Sequence, residues 1–140
     1  MGDGRELGSS QALQVHAADI KGWTAMHYAV RYKHDEIVAM LANVGGAKLQ
    51  VQLLDDGRTP LMMACVYGHA QHVQLMLKQL DILQFLDLPS FDGATPLHAA
   101  CQASNASIVE MLLHANARSD IKDSAGNTAF HIACDTGDMD

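Results

Sequence analysis

The side chains that could carry chemistry in this chain are three cysteines, Cys65, Cys101 and Cys134, and eight histidines. A thiolate can act as a nucleophile or bind zinc, and an imidazole can move a proton near neutral pH. The spacing argues against both uses. Each cysteine directly follows an alanine of one recurring phrase, at intervals of 36 and 33 residues, and Val30 fills the same slot in the first copy. Equivalent positions on neighbouring helices of a stack lie about 8–10 Å apart, beyond the ~7 Å that a disulfide tolerates between Cα atoms. All three cysteines are therefore expected in the core, as small apolar fillers. His27, His98 and His131 also recur with the phrase, as structural residues do and a single active site does not. His69 and His72 stand at helical spacing, but no glutamate, cysteine or third histidine completes a metal site beside them. No phosphate-cradling G-x-x-x-x-G-K-S/T segment or G-x-S-x-G nucleophile elbow exists. The expectation is no catalysis, no metal and no cofactor.

The phrase that carries these residues occurs four times: Thr24-Ala25-Met26-His27, Thr59-Pro60-Leu61-Met62, Thr95-Pro96-Leu97-His98 and Thr128-Ala129-Phe130-His131. A glycine stands two residues before each threonine, at intervals of 35, 36 and 33 residues. Self-similarity at that period means a stack of like units. Thr59 and Thr95, each followed by proline, read as a helix N-cap and its first residue. Met26, Leu61, Leu97 and Phe130 are expected to point inward, each three residues ahead of Ala29, Ala64, Ala100 or Ala133. Second helices are marked by Ile37-Val38 with Met40-Leu41, by Val73 with Leu75-Met76-Leu77, and by Ile108-Val109 with Met111-Leu112-Leu113. Gly68 suits a left-handed turn between the two helices. Lys33 and Ser104 replace it in the neighbouring units, where a strained or different turn is expected.

A chain of 140 residues can bury one core, and its 49% apolar and 18% charged residues fit neither a disordered nor a fibrous protein. The net charge of −7, with scattered basic residues, would repel a phosphate backbone, so nucleic acid is not an expected partner. No apolar run approaches the ~20 residues of a bilayer span, so membrane insertion is not expected. The amino terminus lacks the apolar stretch of a signal peptide. Glu6 stands where a myristoylation signal wants Ser or Thr. An odd number of cysteines without a CxxC pair suits a reducing compartment, the cytoplasm or else the nucleus.

The pattern D-x-x-G-x-T-P-L-H-x-A, followed by G-H, I-V and L-L, resembles the ankyrin repeat over roughly residues 13–140. That resemblance implies an all-α repeat solenoid of ankyrin helix–loop–helix units with β-turn or hairpin fingers. The units would run approximately 13–47, 48–82, 83–117 and, incomplete, 118–140, behind a short tail of residues 1–12. Asp19 and Asp123 match the family's finger aspartate; Leu54 and Ser90 do not. The longer intervals exceed the family's ~33 residues by two and three. The insertions are expected near Gly45–Leu54 and Leu80–Ser90. Leu13-Gln14-Val15-His16 resembles the start of a finger. The fourth unit stops at Asp138-Met139-Asp140, where its second helix should begin, so a fragment of a longer array is expected. The family's histidine ties its threonine to the next finger, and Met62 should leave one such link missing.

The resemblance also implies that a partner is held by the finger tips and the exposed side of the first helices. By position this gives Ile20, Lys21, Trp23, Arg31 and Tyr32, with Tyr28 adjacent, then Asp55, Asp56, Arg58, Val66 and Tyr67. The third unit supplies Phe91, Asp92, Ala94, Gln102 and Ala103; the fourth supplies Ser124, Ala125, Asn127, Asp135 and Thr136. Of seven aromatics in the chain, Trp23, Tyr32, Tyr67 and Phe91 fall on this set, and aromatics and arginine are enriched at binding hot spots. The alternative is that Trp23 and Tyr28 merely cap the first repeat. The expected function is a monomeric, non-catalytic module for a protein or peptide partner, with acidic fingers favouring a basic or mixed one. The stretch Leu83–Leu88 and the finger Gly126-Asn127-Thr128 are similar to those of NF-kappa-B inhibitors. A targeting domain of a larger enzyme is a further reading. So is a methyl-lysine reader using Trp23, Tyr28 and Tyr32 as an aromatic cage.

Overall fold

The computed structural model describes residues 18–43, 52–53, 56–79 and 86–136. Among these residues there are seven helices and no strand: α1 (Ala25–Arg31), α2 (Asp35–Asn43), α3 (Pro60–Tyr67), α4 (Ala70–Leu77), α5 (Pro96–Gln102), α6 (Ala106–His114) and α7 (Ala129–Thr136). Helices α1, α3, α5 and α7 each begin directly after a threonine of the recurring phrase. Thr24, Thr59 and Thr95 hold extended backbone at φ of −94, −86 and −91°. Their Oγ1 atoms accept the amides of His27, Met62 and His98 at 3.4, 3.2 and 3.3 Å. Each hydroxyl thus satisfies one of the donors that a helix start leaves open. Pro60 and Pro96 occupy the first helical position, where no amide is needed.

The odd-numbered helices pack side by side as an inner layer, and α2, α4 and α6 form an outer layer, each against the inner helix of its own unit. Ala29, Ala64, Ala100 and Ala133 are buried and let the inner helices approach closely. Met26, Leu61 and Leu97 fill the space between layers together with Val38, Val73, Met76 and Leu112, giving one continuous core. No helix among the described residues is long and apolar enough to cross a membrane.

Two inward expectations fail at α7. Phe130 is 43% exposed and Cys134 is exposed, while Cys65 and Cys101 are fully buried like Val30. No described helix follows α7, so nothing described covers the side on which these two residues lie. The first unit shows the same effect: Ile37 and Met40 of α2 are exposed. The register equivalents of Ile37, His72 and Ile108, lie on helices with an outer helix before them and are buried; those of Met40, Leu75 and Met111, are half-buried.

Lys33 and Ser104 both adopt φ of 55°, close to the 74° of Gly68. The three loops therefore keep one path, and the expected departure is strain alone, about 1 kcal/mol for a side chain held left-handed. The tail 1–12, Leu13–His16, the unit boundaries at 47/48 and 82/83, Leu54, Asp55, Phe85 and residues 137–140 lie outside the described residues.

Candidate functional site

A finger precedes each inner helix, closed by two backbone hydrogen bonds. In the first, Asp19 N donates to Trp23 O at 3.0 Å and Gly22 N to Asp19 O at 2.9 Å; Ser90 to Ala94 and Asp123 to Asn127 repeat the arrangement. The second finger is one residue longer, since Leu53 N donates to Arg58 O and Gly57 N to Leu53 O. One extra residue of the first long interval thus sits inside the turn, not in the connection before it. Oδ1 of Asp19 accepts the amides of Lys21 and Trp23, and Oδ1 of Asp123 those of Ala125 and Asn127. Where this aspartate is missing, the residue before the glycine takes over. Asp56 Oδ1 accepts Arg58 N at 3.0 Å, and Asp92 Oδ1 accepts Ala94 N at 3.1 Å. Successive fingers are joined by Phe91 N to Asp56 O and Ser124 N to Asp92 O, both 2.9 Å.

The histidines tie this frame together. Thr24 N and Thr95 N donate to Nδ1 of His27 and His98 at 3.1 and 3.0 Å. The ring proton then belongs on Nε2, which donates to the next finger at Arg58 O (3.2 Å) and Asn127 O (2.9 Å). With both nitrogens engaged and both rings buried, neither imidazole is placed for proton transfer. His131 makes only the bonds to Thr128 among the described residues. Met62 makes no such tie; Gln52 Nε2 instead bridges Gly57 O and Pro89 O at 2.8 and 2.9 Å. His72 is buried between α2 and α4, where Nε2 donates to Asp35 Oδ1 at 2.7 Å, and His69 meets its ring edge-on. No group of three or more metal-ligating side chains is present among the described residues.

The sequence-derived contact residues separate into two regions. Ile20 and Lys21 are exposed at the first finger tip. Trp23 is half-buried against the core, and its ring lies 5.0 Å from Tyr28, which in turn stacks parallel to Tyr32 at 6.5 Å. The Arg31 guanidinium lies 5.5 Å from the Trp23 ring and 5.7 Å from that of Tyr32. The Tyr28 hydroxyl donates to Asp19 Oδ2 and holds that carboxyl below its ordinary value. Capping thus describes Trp23, whereas Tyr28 and Tyr32 remain exposed. Tyr67 stands apart from this cluster, against His69. Phe91 is 64% exposed, with its ring lying over Gly57.

The second region is a cavity of about 450 Å³ between the fingers and inner helices of units two to four. Of the sequence-derived contact residues, Arg58, Val66, Asp92, Ala94, Gln102 and Ala103 line it; Arg58 is paired with Asp56 at 3.6 Å. Sequence reasoning missed Met62, Ser90, His98, Ala99, Asp123 and Ile132, which also line it. A signal was available in the register. Where the first unit has Trp23, Tyr28 and Tyr32, the third has Ala94, Ala99 and Ala103.

The family model for ankyrin repeats, in three copies, matches residues 6–85 and again 79–140. The chain belongs to the ankyrin-repeat family. Ankyrin arrays are protein-interaction modules. The chain is 32% identical to the tyrosine-protein kinase HTK16 of Hydra vulgaris over 85% of its own length and 15% of the kinase. It is 35% identical to the neurogenic locus notch homolog protein 1 of Xenopus laevis over 93% of its length and 5% of that protein. It is 40% identical to the NF-kappa-B inhibitor cactus of Drosophila melanogaster over 60% of its length and 17% of cactus. The chain thus spans a small part of each of these longer proteins.

Proposed function

We propose that this ankyrin array is a non-catalytic scaffold or adaptor module, acting as a monomer, that holds a peptide or protein partner in its concave groove. The observation that supports this reading is the set of aromatic side chains left exposed on the fingers and at the inner helices: Tyr28, Tyr32, Tyr67 and Phe91. Large aromatics on a rigid face bind at little entropic cost and dominate interface energies. The three cysteines are free, which supports a reducing compartment, the cytoplasm or nucleus.

The test is affinity capture of a partner followed by cross-link mapping and titration. Tyr32→Ala and Tyr67→Ala should each weaken binding by ~2 kcal/mol with little change in melting temperature. Unchanged affinity in both variants, or cross-links confined to α2, α4 and α6, would sink the reading.

The similarity to cactus supports a narrower reading, an NF-kappa-B-inhibitor-like regulator, which failure to bind a Rel-homology domain would remove. The similarity to HTK16 supports a targeting role within a longer kinase-like protein. A methyl-lysine cage has less support, because Arg31 already occupies the space over Trp23 and Tyr32 that a methylammonium would take.

A further inference from the structure

We propose that the cavity between units two and four seats one aliphatic side chain of an extended partner segment, with a lysine or arginine of that segment beside it. The inference rests on the groove reading above and specifies its chemistry.

The cavity exists because of a local loss of bulk. Three ring-bearing positions of the first unit, one on the finger, one on the inner helix and one at its C-terminal cap, are all alanine in the third: Ala94, Ala99 and Ala103. The neighbouring units do not close the gap, and about 450 Å³ stays open. That volume falls within the range of sites that seat ligand groups. Its apolar lining comes from Met62, Val66, Ala99 and Ile132, beside the buried polar Ser90 and His98. Met62 stands where the other units carry histidine, so a polar imidazole is absent from that wall. Among the described residues no Phe, Tyr or Trp lines the cavity, and the His98 ring is held by Thr95 and Asn127, which favours an aliphatic occupant over one that needs a stacking face.

Charge sets the neighbour. Asp92 and Asp123 stand on the rim, and each uses Oδ1 to hold its own finger. Neither Oδ2 accepts a hydrogen bond from another described residue. Arg58, the guanidinium on the lining, is paired with Asp56. Two lining carboxylates stand against one guanidinium that Asp56 already pairs, so the lining keeps a negative field, which attracts a cationic side chain and repels an acidic one.

Panning a phage-displayed random peptide library against the full chain tests this. The expected consensus is Leu, Ile, Val or Met next to Lys or Arg. Synthetic peptides of that consensus should lose more than about tenfold in affinity on Ala103→Phe or Gln102→Trp, two exposed positions from which a ring fills the cavity. Asp92→Asn and Asp123→Asn keep the finger-holding Oδ1 and should each cost about fivefold. Peptides that lose binding on Tyr32→Ala or Tyr67→Ala, yet lack the aliphatic–basic pair or tolerate both cavity-filling variants, overturn the inference and leave the groove reading standing. Peptides indifferent to every variant, or no enrichment at all, overturn both.

Discussion

His98 shows how one side chain can serve a fold at two ranges. Its Nδ1 accepts the amide of Thr95 in its own unit, and its Nε2 donates to Asn127 O in the next. Replacing it with alanine removes both bonds and empties a buried site. The expected loss is about 2–3 kcal/mol, read by urea denaturation; a loss below about 0.5 kcal/mol would show that the tie is idle. Asp35 carries a pH signature. The hydrogen bond from His72 holds its carboxyl below the ordinary value of 3.8, with the charges of His72 and Lys33 adding to the effect. A carboxyl depressed in the folded state contributes stability that is present above the unfolded value and lost as pH falls through the folded one. Between neutral pH and 3.8 the contribution should hold, and below 3.8 it should fade. The wild type should therefore lose more stability on acidification than Asp35→Asn does. Equal slopes in thermal melts across that range would reject the assignment.

At the scale of the element, the fingers depend on glycine for two separable reasons. Gly126 has φ of 86° and open space where a Cβ would point, so Gly126→Ala measures the backbone cost alone, about 1 kcal/mol. Gly57 has φ of 77°, and a Cβ there would come within 2.5 Å of the Phe91 ring. Gly57→Ala should cost more than Gly126→Ala, and Phe91→Ala should recover the difference. Equal melting temperatures for the two glycine variants would mean that the ring moves aside freely. This contact was not legible in the repeat pattern, because residues 34 apart are brought together only by the stacking of one finger on the next.

For the whole molecule, the net charge of −7 and the carboxylate-rich fingers act together on association. Binding of a basic peptide should weaken steadily as salt rises from low to physiological strength, chiefly through a slower on-rate. A salt-independent on-rate for such a peptide would remove electrostatic steering from the account. The two regions of the groove add a second consequence. The aromatic cluster of unit one and the alanine-lined cavity of unit three lie on a common register, so one extended segment could engage both.

The sequence by itself determined the architecture. Helix starts, inward leucines, close-packed alanines and left-handed loops are each set by a few neighbouring residues, and the period repeats them. The phrase also displays the recurring histidine and its replacement by Met62; the tie itself was what the ankyrin resemblance implies, and His27 and His98 make it. Tertiary structure decided what depends on the adjacent unit. Cys65 and Cys134 hold the same place in the phrase, yet one is buried and the other exposed, because burial requires a covering helix that no local pattern encodes. Ile37 and Ile108 differ for the same reason. That Asp56 and Asp92 take over the turn-holding role of the missing finger aspartates became visible only through their hydrogen bonds. The cavity too arises between units, where three alanines leave space that only their neighbours could have filled.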